Sequence, residues 1–215
     1  IKKPSINWAM SIIGDTPRLV IGFDQQRRGE ENLSKEEGEL KVAKCLISSV
    51  KEDYGKLVDV VVYDALACNS VWINHCINLE VDVVIRAKEN NIKSLKNIKK
   101  ETNKKDPKEI WYKEQGYEQV EVYESEYEMK NVDQPLRFVK FTMKRSNDRY
   151  SQIMIVTTLM ETDFHTLFKM IRGRWDIENS IFNNLKTECG LEHCYIHNGN
   201  AIEAILYLIF IASNI

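Results

Sequence analysis

The hydrophobic pattern changes period several times along the chain, and each change marks an element. Asn7 to Ile13 and Arg18 to Phe23 read as two strands flanking Gly14-Asp15-Thr16-Pro17, residues suited to a tight turn. Gln25 to Leu33 is polar and contains Gly, which predicts an exposed loop. Ser34 and Glu37 then stand at capping-box spacing, and Leu40, Ala43, Ile47 and Val50 recur at helical intervals to about Lys51. Leu57 to Ala65 is a run of β-branched residues without clean alternation, the pattern of a strand covered on both faces. Trp72, Ile73, Cys76 and Leu79 lie at helical spacing within Asn69 to Leu79, and Asp82 to Ala87 is a second β-branched run. Strand, helix and strand in so short a stretch predict a βαβ unit with a parallel pair.

Beyond that unit the pattern switches. Lys88 to Lys108 holds eight Lys against three acidic residues and little apolar content. Such a run is either a solvated helix and loop or a patch that contacts a nucleic-acid backbone. Period-two alternation follows from Ile110 to Thr158, with Glu121 to Glu124 and Leu136 to Met143 as its clearest parts. Ser146-Asn147-Asp148 makes a turn before Ile153 to Thr158, so the whole stretch reads as an antiparallel insertion. Thr162 or Asp163 then caps a helix from Phe164 to about Glu188.

Composition narrows the class. The 215 residues are 43% hydrophobic and 29% charged with nine Gly and four Pro, which excludes collagen-like and broadly disordered chains. Thirty basic against thirty-two acidic residues leave a net charge of -2, so contact with a polyanion must come from local patches. Five Cys, at 45, 68, 76, 189 and 194, are odd in number in a chain too large to need stapling, and reduced thiols are expected. The apolar stretch Ala201 to Ile215 is fifteen residues long and includes Glu203; a membrane span needs about 20. With Ile1 at its start and no leader pattern, the chain reads as an internal piece of a longer protein.

Few side chains in this pattern are placed for chemistry. Asp64 ends the first buried parallel strand, where open α/β sheets position ligand-binding groups; it is either a metal ligand or the cap of the next loop. Arg174 and Glu178 are i,i+4 neighbours on the last long helix, with Lys186 two turns further on the same side. They form either an ordinary exposed ion pair or one wall of a site. Cys189, His193, Cys194 and His197 are zinc-capable residue types, but their spacing matches no common zinc module, and a loop between helices is the favoured reading. Cys68 adjoins Asp64 without a base beside it, and His75 and Cys76 read as packing residues. Trp8, Trp72, Trp111 and Trp175 read as core or insertion residues; the alternative for Trp111 and Tyr112 is stacking on an unpaired base.

The segments YDALACNSVWINHCINLEVDVVIRAKENN (63–91) and RGRWDIENSIFNNLKTECGLEHCYIHNGNAIEAILYLIFIASN (172–214) resemble DDE transposases of bacterial insertion sequences. IIGDTPRLVIGF (12–23) and EEGELKVAKCL (36–46) share the resemblance, which is weakest over 92–150. It implies an α/β fold, an RNase H-like mixed sheet with flanking helices, interrupted by an antiparallel β insertion. The catalytic core would be 1–91 and 160–215, and 92–159 the Lys-rich segment and insertion. The family's second catalytic Asp maps onto Asp64. Its helical Tyr-x2-Arg-x3-Glu motif and following Lys map onto Arg174, Glu178 and Lys186, with Ile171 at the Tyr position and Lys186 eight residues after Glu178.

The resemblance further implies metal-dependent cutting and joining of DNA strands, with Asp64 and Glu178 holding two Mg²⁺ (or Mn²⁺) ions and Arg174 and Lys186 holding phosphates. Double-stranded DNA, as transposon ends and target, would be the partner, bound by a homodimer in a synaptic complex in the bacterial cytoplasm, with no membrane involved. The family's first Asp would lie upstream of Asn7; Asp15 and Asp24, in a turn and at a strand end, read as structural. The 215-residue chain is therefore expected to be inactive alone. Rival readings are a truncated remnant that at most binds DNA, and a nuclease of the same fold.

Overall fold

The computed structural model describes residues 8–13, 19–24, 35–88, 93–176, 179, 183–188 and 199–214, in two compact units: 58–171, and 1–57 with 172–215. Gly14 to Pro17, Gln25 to Ser34, Glu178 and the Cys189–His197 cluster lie outside the described residues.

The unit formed by 1–57 and 172–215 holds β1 (Trp8–Ser11) and β2 (Val20–Asp24), an antiparallel ribbon with α1 (Lys35–Tyr54) against it. Ala43, Ile47 and Val50 are buried at the predicted helical spacing. Gly22 lets α1 come close, since a Cβ there would stand 2.8 Å from Val50 Cγ2 and 3.0 Å from Leu46 Cδ1.

In the unit 58–171, β3 (Val60–Tyr63) and β4 (Asp82–Arg86) pair in parallel, Val60 opposite Asp82 and Tyr63 opposite Ile85, connected through α2 (Ser70–Asn78). The predicted βαβ unit is therefore present. Asn69 starts α2 by accepting a hydrogen bond from the Trp72 N–H at 2.9 Å, and Trp72, Ile73 and Cys76 are fully buried. The insertion supplies β5 (Glu109–Glu114), β6 (Tyr117–Tyr127), β7 (Leu136–Lys144) and β8 (Tyr150–Thr157), an antiparallel meander. β5 and β6 join through Gln115 and Gly116, both at positive φ, the geometry of a two-residue hairpin turn that matches the twist of its strands.

The insertion is not a separate sheet. β8 pairs antiparallel with β4, Val84 opposite Thr157 and Arg86 opposite Ile155, giving one six-stranded mixed sheet in the order β3-β4-β8-β7-β6-β5. Thr158 reinforces this junction: its hydroxyl donates to the Asp82 carboxylate at 2.6 Å and accepts the Val83 N–H at 3.0 Å.

Pleating sorts the sheet's side chains into two faces. Cross-strand rows such as Ile153–Phe141–Val122 face the first turns of α4 (Phe164–Asp176), where Phe168 lies 4.9 Å from the Phe141 ring. Trp111 joins this core, stacked on His165 at 3.8 Å. Asp163 is the residue that caps α4, accepting the Thr166 N–H at 2.9 Å. The opposite face carries the row Tyr63–Ile85–Val156–Phe138–Ser125, with Tyr63 against Trp72 of α2. There α3 (Lys93–Thr102) packs on β6: buried Leu95 faces inward, Thr102 bonds Ser125 at 2.9 Å and Ser94 bonds Tyr127 at 2.7 Å.

Past α4 the chain returns to the first unit. There α5 (Asn183–Thr187) and α6 (Gly199–Ser213) contribute Leu185, Leu206 and Phe210 to a core with Val20. Asn214 closes α6 onto β2 by bonding both the N–H and the carbonyl of Val20, at 3.0 and 2.8 Å. A mixed six-stranded sheet with flanking helices is the α/β, RNase H-like class expected.

Candidate active site

Asp64 follows the last residue of β3 and is half-buried. The chain must turn sharply after β3 to enter the crossover. Asp64 makes that turn: in extended conformation at φ -81° and ψ -173°, it caps the one-turn 3-10 helix Ala65–Ala67, and its Oδ1 accepts the Leu66 N–H at 2.9 Å. The following residues lock the turn in place. Asn69 donates from Nδ2 to the Leu66 carbonyl at 3.0 Å while its Oδ1 caps α2. The carboxylate is thus held at one orientation at the carboxyl end of the strand, with Oδ1 committed to the cap.

Cys68 beside it is buried, and burial pushes its thiol up to about 12, so it stays protonated and is a poor nucleophile. Cys76 is in the same state for the same reason. Both are packing residues.

Arg174 is half-buried in the last turn of α4, and Lys186 is exposed on α5; both belong to the unit that contains 172–215, whereas Asp64 belongs to 58–171. Glu178 lies outside the described residues. Among the described residues no group of three or more His, Cys, Asp and Glu is placed to hold a metal ion. The chemistry of the donors themselves suits Mg²⁺: carboxylate oxygens are the hard ligands that this ion takes, one or two at a time, while it keeps waters.

A second polar feature was only half legible in the sequence. Lys96 and Lys99 of α3, with Arg86 and Lys88 at the end of β4, surround a groove of about 620 Å³ whose floor includes Gln152 and Met154 of β8. The Lys-rich composition pointed to the helix. The floor comes from a strand more than fifty residues later, and alternation alone cannot say which helix a strand will lie beneath. Trp111 is buried against His165, whereas its neighbour Tyr112 is 71% exposed.

No helix among the described residues is long and apolar enough to cross a membrane. No curated protein matches the chain. The model of one family, described as the transposase DDE domain, matches residues 34–215, which takes in β3, Asp64, the whole insertion and α4 to α6. With that match over most of its length, the chain belongs to the transposase DDE domain family.

Proposed function

We propose that the protein cuts and joins DNA strands by metal-assisted phosphoryl transfer, using Asp64 and Glu178 as metal-holding carboxylates. The observation that carries this reading is the fixed carboxylate at the carboxyl end of β3, in a chain of this family. One oxygen of Asp64 holds the turn, so the other, Oδ2, is the atom offered to a cation. Glu178 would supply the second carboxylate from the segment after α4. Two Mg²⁺ or Mn²⁺ ions, when bound, activate a water or 3′-hydroxyl and stabilise the departing oxygen. Arg174 would grip a phosphate through its planar fork, and Lys186 would neutralise another as a point charge. The core, 1–91 and 160–215, would carry this chemistry with 92–159 as its insertion, acting on double-stranded DNA as a homodimer in the bacterial cytoplasm.

The test is a nicking and strand-transfer assay on DNA carrying the element's ends, in Mg²⁺ and in Mn²⁺, with Asp64→Asn and Glu178→Gln in the longer protein that includes the upstream Asp, because the 215 residues alone are expected to be inactive. Asn is as good an N-cap as Asp, so Asp64→Asn keeps the turn while removing the charge that binds metal. Loss of both products in either variant, with folding intact, supports the reading. Full activity in Asp64→Asn refutes it. A chain that cuts without joining is a nuclease, and one that binds DNA without cutting is the binding-only remnant.

A further inference from the structure

The face of the sheet that carries α2 and α3 is only partly covered. Two cross-strand rows lie beyond α3, exposed at their ends and half-buried in the middle: Ile110–Glu121–Thr142–Gln152, then Tyr112–Gln119–Lys144–Tyr150. In the outer row Tyr112 and Tyr150 are 71% and 66% exposed and stand three strands apart, about 14 Å, with Lys144 between them. Large aromatic rings set out on an open sheet face lose hydrophobic stabilisation unless something flat covers them.

The groove adjoins this row. Tyr150, Gln152 and Met154 alternate along β8, so all three lie on the same face, about 7 Å from one to the next. Met154 and Gln152 form the groove floor, and Tyr150 comes next along the same face of β8. Arg86, Lys88, Lys96 and Lys99 line the groove, and none of the described residues lining it is acidic. Lys140, opposite Met154 on β7, lies beneath this cluster. Its Nζ sits 3.8 Å over the Tyr123 ring and donates to Asn103 Oδ1 at 2.6 Å. Burial, and after it the charge of Lys99, pulls its amine below the ordinary lysine range, against the opposing charge of Glu121.

A row of cations leading onto exposed aromatic rings is the combination that binds single-stranded nucleic acid: the cations follow the phosphates and each ring stacks a base. A duplex satisfies only half of it, because its bases already stack on one another. We propose that the groove between α3 and β8 holds the phosphodiester backbone of an unpaired DNA strand, with a base of that strand stacked on Tyr150. The proposal deepens the DNA-acting reading above and rests on it for the choice of DNA as the polyanion.

The experiment measures binding of the full chain to a fluorescent oligothymidylate of about 16 nucleotides, and to a duplex of equal length, by anisotropy with chelator present. Salt is varied from about 50 to 200 mM. Neutralising two exposed groove residues together, Lys88→Gln with Lys96→Gln, is expected to weaken oligothymidylate binding about tenfold at the lowest salt. It should also flatten the log–log salt dependence by about 0.7 for each phosphate that is no longer neutralised. Tyr150→Ala is expected to weaken binding about tenfold with the salt dependence unchanged, and Tyr150→Phe to restore it. Circular dichroism checks that each variant folds. Wild-type affinity in the lysine variant overturns the groove, and duplex binding that equals oligothymidylate binding and ignores Tyr150 overturns the unpaired strand. Because no divalent metal is present, failure here leaves the cleavage reading standing. Conversely, Lys- and Tyr-dependent binding by a protein that never cuts even with the upstream Asp present would remove that reading and leave the groove.

Discussion

Arg137 is a buried cation whose removal should cost more than any surface substitution. It lies on β7 with its side chain 8% exposed, paired with Glu124 of β6, whose side chain is 28% exposed. The guanidinium also donates to the carbonyls of Leu159 and Thr162 and sits 4.6 Å from the centre of the Phe164 ring. One side chain therefore fastens the segment that leads from β8 into α4, the helix that carries Arg174. Replacing it with Met keeps the stem's apolar packing but strands a partly buried carboxylate and two carbonyls.

Breaking a buried pair from one side costs about 3–5 kcal/mol, and the partial exposure of Glu124 places this case near the lower end, about 3 kcal/mol. At a urea slope of about 2 kcal/mol per M, the midpoint of Arg137→Met should fall by about 1.5 M. The measurement is urea unfolding followed by circular dichroism and Trp fluorescence, for wild type, Arg137→Met, Glu124→Gln and the double variant. Removing both charges should recover part of the loss, because the carboxylate is no longer stranded, giving a coupling of about 1–3 kcal/mol. A midpoint within about 0.3 M of wild type for Arg137→Met, or strictly additive effects in the double variant, would refute the clamp.

Three other outcomes are expected. Gly22→Ala should destabilise by about 1–3 kcal/mol in urea, because the new methyl meets Val50 and Leu46, and Val50→Ala in the same chain should return part of that loss. The Thr166 hydrogen bonds hold the Asp163 carboxyl below the ordinary carboxylate range. The unfolded chain therefore takes up that proton first, so the stabilisation is present above the unfolded value and is lost as pH falls through the folded one. Asp163→Asn should match wild type near pH 7 and lose less on acidification below about pH 4, whereas Asp163→Ala should cost about 1 kcal/mol at neutral pH, both read from thermal midpoints. Iodoacetamide at pH 8, followed by peptide mapping, should modify exposed Cys45 and spare Cys68 and Cys76 until the chain is unfolded; labelling of either in the native protein would contradict their burial.

Much of the site's setting was legible in advance because its signals are local. A β-branched run ending in an acid, followed by a helical apolar pattern and a second run, specifies β3, α2 and β4 and puts Asp64 at the strand's exit. Its cap depends on bonds between residues no more than a few positions apart, which the local sequence encodes. Arg174 and Lys186 were read as basic residues of one helix from Phe164 to about Glu188; helical spacing is a local property, and the structure describes them on α4 and α5.

Period-two alternation likewise announced the insertion and its two faces, yet gave no neighbour for any strand. That β8 would join β4, and so fuse the insertion to the parallel pair, was decided by pairing across about seventy residues. The Arg137 clamp, where two strands and the following loop converge, and the groove, whose lysines and floor come from separate parts of the chain, also depended on tertiary packing, over shorter separations. The physical reason is one of range. Backbone preference and side-chain period act within a turn or a pleat, whereas strand order and the company of a buried or clustered charge depend on which distant surfaces exclude water together.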